Sequence, residues 1–126
     1  MTTATITPQS APVGGQLVTF TQAVRDRTPL IDVTGGADDI VAFEVTNSTS
    51  VPVFLKIFDT VVAVTPGSTT PDWVFRVAAN SSLTYACPDL LVITNGVSLF
   101  ISLDGGTGVV ATLGPSSAVV AQVLVS

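Results

Sequence analysis

Apolar residues at every second position, in short β-branched and aromatic blocks cut apart by turn-formers, constrain this chain more than any other feature. In Val41-Ala42-Phe43-Glu44-Val45-Thr46 the alternation puts Val41, Phe43 and Val45 on one face and Glu44 and Thr46 on the other, the pattern of a strand with one wet side. Residues 53–59 repeat it, with Val53, Leu55 and Ile57 towards the core and Phe54, Lys56 and Phe58 opposite. Trp73, Phe75 and Val77 alternate with Val74 and Arg76, and Leu99, Ile101 and Leu103 with Ser98, Phe100 and Ser102. Weaker strands fit 16–24, 30–33, 82–86, 90–94 and 109–112, and a strong one fits 118–125. Turn-formers stand between the blocks at Gly35-Gly36, Asn47-Ser48, Pro66-Gly67, Asn80-Ser81, Asn95-Gly96, Gly105-Gly106 and Gly114-Pro115. No stretch of helix length keeps a 3.6-residue period. The expected fold is all-β, an antiparallel β-sandwich, jelly-roll-like, of about eight strands.

The chain of 126 residues has the size of one domain that buries its core without disulfide or metal staples. Residues 1–15 hold Thr2, Thr3, Thr5, Thr7, Pro8, Pro12, Gly14 and Gly15 but no charged side chain. They are expected as an extended N-terminal arm, loose or docked on a partner, ahead of a sandwich domain over 16–126. A net charge of −5 is the wrong sign for gripping phosphates, so no nucleic-acid partner is expected. Only 10% of the residues are charged, against roughly a quarter in an average soluble domain, which leaves an unusually uncharged surface. The apolar blocks stay well short of the ~20 residues of a membrane helix, and no secretory pattern follows Met1. The expected setting is therefore synthesis in a cytoplasm with no membrane partner.

Chemistry-bearing residues are scarce. With no histidine, one cysteine and one glutamate, most nucleophile, general-base and transition-metal sites cannot be assembled, and no enzyme and no cofactor are expected. Cys87 has no cationic neighbour in sequence and reads as a small buried hydrophobe. Asn47-Ser48-Thr49 and Asn80-Ser81-Ser82 match the glycosylation pattern but read as turns. Asp32, Asp38 and Asp39 around Gly35-Gly36 offer hard oxygens for calcium, without the order of residues of a known calcium loop. An enzyme would need Asp38 and Asp39 with a recruited metal. Residues 104–108, rich in glycine, read as a hairpin rather than a phosphate loop.

The apolar positions opposite the core suggest a second buried surface. Phe54, Phe58 and Phe100 occupy the far faces of their strands, Trp73 opens another strand after Pro71, and Arg25 and Arg27 could pair with a carboxylate of a neighbouring subunit. These six are the candidate contacts with a like subunit or another protein surface, and a homo-oligomer, a closed trimer, is the expectation.

Residues 47–101 resemble a small β-sandwich module of virion proteins in tailed bacteriophages. The ordered string is Asn47-Ser48-Thr49, the strand 53–59 with its central Lys56, Val64-Thr65-Pro66-Gly67-Ser68-Thr69-Thr70-Pro71-Asp72, the strand 73–77, Ala78-Ala79-Asn80-Ser81-Ser82, and Asn95-Gly96-Val97 before Leu99-Phe100-Ile101. The resemblance implies a non-enzymatic structural role on the virion. It fits a capsid decoration or cement protein that binds the major capsid protein from outside; the same module occurs in tail and fibre proteins. A carbohydrate- or receptor-binding module is the further alternative, with Trp73 and Tyr85 as its only Trp and Tyr.

Overall fold

The structure is a computed structural model describing residues 3–8, 15–22, 29–65, 67–103 and 119–126. Its strands are β1 (Thr3–Pro8), β2 (Gln16–Gln22), β3 (Ile40–Asn47), β4 (Val53–Asp59), β5 (Trp73–Val77), β6 (Ser81–Leu91), β7 (Val97–Ser102) and β8 (Val119–Val125), with no helix among the described residues. They form a five-stranded sheet, β1-β2-β8-β3-β6, and a three-stranded sheet, β5-β4-β7, antiparallel throughout. The all-β sandwich read from the alternation is what forms.

The pairing is nested. β2 pairs with β8, the segment 30–33 lies along β7, β3 pairs with β6, and β4 pairs with β5. The chain is thus one long hairpin rolled over itself, the jelly-roll scheme. Two further pairings, β8 with β3 and β4 with β7, join the nested pairs into sheets. β1 is added outside this scheme and, among the described strands, pairs with β2 alone.

Several expected strands take a different form. Residues 30–33 make an isolated bridge rather than a full strand: Leu30 and Leu99 exchange backbone bonds of 2.9 Å each way, and Val33 N–H donates to Val97 O at 2.9 Å. The expected strands 82–86 and 90–94 fuse into β6. A wide irregularity joins them, because Ile40 faces Leu91 while Ala42 already faces Ala86. The same irregularity flips parity in β3, so Ile40 reaches the core and Val41 is only half-buried. Residues 3–8 of the expected arm are a sheet strand, because the alternating Thr-Ala-Thr-Ile-Thr finds a mate in β2. The expected strand 109–112 and the glycine loop 104–108 lie outside the described residues.

Between the sheets sit Val18, Phe20, Ile40, Phe43, Val45, Leu55, Ile57, Leu99, Ile101 and Val123, all buried. Their side chains come from alternate positions of both inner faces, which is why period-2 patterning suffices to build the core.

Polar side chains lock the two ends of the sandwich. At one end the buried Asn47 donates through Nδ2 to the carbonyls of Val51, Val77 and Ala78 at 2.9, 3.2 and 3.0 Å. Its Oδ1 accepts from Thr49 N–H at 3.0 Å and from the Thr49 hydroxyl at 2.6 Å. Asn80, in the left-handed conformation at φ 52°, donates its N–H to Thr49 O at 2.9 Å. The β3–β4 turn is thereby clamped to the β5–β6 turn.

At the other end the Asp59 carboxylate accepts from Thr94 N–H (3.1 Å), Thr94 Oγ1 (3.0 Å), Asn95 N–H (2.8 Å) and Gly96 N–H (3.3 Å). Gly96 is there for want of space: a Cβ would lie 2.7 Å from both Asp32 Oδ1 and Val61 Cγ1. Desolvation alone would raise the Asp59 carboxyl, but the bonds from Thr94, Asn95 and Gly96 together hold it below its usual value. A lowered folded-state value means that this contribution is complete above the unfolded carboxyl range, about pH 4, and is lost as pH falls through the folded value. Acid titration of stability should therefore show a loss below about pH 4 that is smaller in Asp59→Asn. Identical acid profiles for the two proteins would refute this role.

Candidate interaction surface

Cross-strand partners share a face, so the register of the five-stranded sheet defines its outer surface position by position. One row runs Thr5, Thr19, Gln122, Glu44, Thr84. A second runs Thr7, Leu17, Leu124, Ala42, Ala86, and a third Thr21, Val120, Thr46, Ser82. Every one of these residues is exposed or half-buried, while on β2, β3 and β8 neighbours such as Val18, Phe20, Phe43, Val45, Ala121 and Val123 line the core. Glu44 is the one charged side chain in these rows, and the Thr84 hydroxyl caps it at 3.0 Å.

The Leu17, Leu124 and Ala42 row sinks into a shallow depression of about 170 Å³, with Glu44, Thr84 and Gln122 on its rim. A second depression of about 260 Å³, lined by Thr46, Ser48, Asn80, Ser81 and Ser82, lies over the Asn47 clamp. Both are open and shallow. The face is a regular array of hydroxyls and aliphatic groups with almost no charge to desolvate, which suits contact with another protein surface.

The candidate contacts named from the sequence lie elsewhere. Phe58 and Phe100 are 3% and 1% exposed and pack with Val64 and Ile31 in a small cluster on the far face of the three-stranded sheet. Their side chains are buried within the chain itself, because Ile31 and Val64 pack against them on that face. Lys56, on the same face, is also buried, and Phe54 is half-buried. The apolar second face that argued for a trimer is thus covered within one chain. Trp73 is half-buried against the main core. Near it Phe43, Phe75 and Tyr85 form an aromatic group, with ring centroids 4.6 to 5.6 Å apart, that closes the side of the sandwich between β5 and β6. Arg25 and Arg27 lie outside the described residues.

Asp32, Asp38 and Asp39 do not converge. Asp39 accepts Ile93 N–H at 3.1 Å and its carbonyl takes Ser126 N–H at 2.9 Å, so it ties strand ends together. Asp32 sits in the left-handed region at φ 48°, accepts Gly35 N–H through its carbonyl at 3.1 Å and receives the Ser98 hydroxyl as acceptor for its N–H at 3.0 Å. Among the described residues no three His, Cys, Asp or Glu side chains are grouped to hold a metal. Cys87 is buried, and burial pushes its thiol up, away from the thiolate a nucleophile needs.

The outer rows were missed in the sequence reading although their signal was present. Thr3-Ala4-Thr5-Ile6-Thr7 already has period two, and only its lack of large apolar residues made it look like an arm. No family model matches the chain, and comparison with curated proteins finds no significant relative.

Proposed function

We propose that the protein is a non-enzymatic virion structural protein, a capsid decoration protein that binds the outer shell as a homo-oligomer and ties neighbouring shell subunits together. The observation that carries this reading is the outer face of the five-stranded sheet, whose cross-strand rows hold Glu44 as their one charged side chain among the described residues. Such a face loses little on desolvation and gains through repeated shallow contacts, whose effects combine when the partner surface repeats. The resemblance of residues 47–101 to phage virion modules supports the same reading. Two of the positions that carry it, Asn47 and Asn95-Gly96, serve the clamps at the two ends of the sandwich.

The test is the copy number of this chain relative to the major shell protein in purified particles, by quantitative mass spectrometry. Hundreds of copies are expected. A handful would move the protein to a tail or fibre position, and absence from particles would end the virion reading. Thr84→Lys, which sets a cation in the middle rows, is expected to keep the fold and lower shell occupancy. Unchanged occupancy would remove the outer face as the contact.

A further inference from the structure

We propose that the outer edge of β1, which no described strand pairs, joins β1 of a second copy of this chain, antiparallel about a two-fold axis at Thr5, so that two five-stranded sheets continue into one. This goes beyond the shell-binding reading and needs no shell.

An unpaired strand edge is a row of N–H and C=O groups ready to accept another strand, and monomeric proteins blunt such edges with charge, proline, bulges or cover. The edges of this sandwich divide sharply by that criterion. The far edge of β7 is covered by residues 30–33 through Leu30 and Val33. β5 is five residues long, carries Arg76 and follows Pro71-Asp72. β6 is interrupted opposite Val41, within a stretch that includes Pro88 and Asp89. β1 has none of these devices. Its pairing with β2 runs without a shift from Thr3 to Pro8, it carries no charge, and proline comes only at its last position. Residues 4–7 are all exposed, and among the described residues no strand lies beyond it.

The pattern of β1 names the occupant. Read from Thr5 in either direction, the strand presents an aliphatic residue, Ala4 or Ile6, and then a threonine. An antiparallel copy centred there sets Thr5 opposite Thr5 of the partner subunit, and Ala4 opposite Ile6 of the partner subunit. Hydroxyl meets hydroxyl on the outer side and aliphatic meets aliphatic on the inner side, the cross-strand pairs that stabilise sheets. The contact is isologous, as two-fold interfaces require. It brings no like charges together, although each chain carries −5 in total. It also covers Ile6, 39% exposed although its register partner Val18 is fully buried. Thr7 has an interaction within the chain, and the pairing rests on the residues before it. The contact makes a dimer and not the closed trimer expected from the sequence.

The experiment uses the full chain in solution, without particles. Directly opposed residues of an antiparallel pair have Cα atoms roughly 4.5–5.5 Å apart, within disulfide reach. Thr5→Cys should cross-link to a covalent dimer roughly tenfold or more faster than Thr21→Cys, which sits one strand in from the edge. The buried Cys87 does not compete. In light scattering coupled to size exclusion the wild type should run as a dimer across the micromolar range, and Ile6→Lys as a monomer with an unchanged circular-dichroism spectrum. A monomeric wild type, equal cross-linking at the two positions, or a dimer that survives Ile6→Lys would each overturn the proposal. None of these outcomes bears on copy number in particles, so this proposal and the decoration reading fail separately.

Discussion

Asn47→Asp should lower the unfolding temperature by roughly 10–15 °C, corresponding to a loss of about 3 kcal/mol, although it exchanges one terminal nitrogen for oxygen. The size of the effect comes from what the nitrogen does. Asn47 is 1% exposed, and its Nδ2 serves the carbonyls of Val51, Val77 and Ala78 from within the sandwich. A carboxylate cannot donate, so those acceptors lose their partner and face a negative charge instead. The contacts of Oδ1 with Thr49 would survive, which makes Asn47→Asp a sharper test than truncation. Asn47→Ala removes both halves of the clamp without adding charge, and it should unfold at a temperature between those of the wild type and Asn47→Asp. Thermal unfolding followed by circular dichroism decides the matter. A shift of only a degree or two in Asn47→Asp would mean that water or backbone adjustment replaces the clamp.

Phe100→Ala should cost about 3–5 kcal/mol in urea unfolding, and the loss should be the same at every protein concentration. Phe100 is 1% exposed, packed with Phe58, Val64 and Ile31 on the far face of the small sheet. Truncation leaves a cavity that the flanking strands fill poorly, since β7 is held by β4 on one side and by residues 30–33 on the other. The concentration dependence carries the information. A phenylalanine at a subunit contact would make stability rise with protein concentration, and its loss would flatten that slope. A phenylalanine covered by its own chain leaves the slope untouched. Concentration-dependent loss in Phe100→Ala would return the residue to an interface and contradict the burial described above.

These two residues also mark where the sequence was readable and where it was not. Leu55, Ile57, Phe75, Leu99 and Ile101 were assigned to the core by alternation, and all of them pack between the sheets. Alternation reports that a strand has two faces. It does not report what covers the second, and for Phe58 and Phe100 the cover comes from residues that are distant in sequence or weakly patterned, Ile31 and Val64. Asn47 looked like ordinary turn chemistry because its acceptors, Val77 and Ala78, lie thirty and thirty-one positions away. The candidate surface was hidden for a related reason. Thr5, Thr19, Thr46 and Thr84 are unremarkable singly, and they become a face only when β1, β2, β3 and β6 are set side by side in register.

From the sequence alone came the all-β class, the turn positions, the inner faces of β4, β5 and β7 and of β3 at Phe43 and Val45, and the poverty of catalytic side chains. These follow from local rules: side chains alternate along a strand, glycine and asparagine break it, and composition limits chemistry. Tertiary structure alone decided the nested pairing, the merging of two expected strands into β6, the placing of Thr3–Pro8 in the sheet and the enclosure of Phe58 and Phe100. The physical reason is that strand pairing uses backbone groups that every residue carries. Which strand lies beside which is settled by the packing of the whole chain, after the local pattern has chosen only that strands will form.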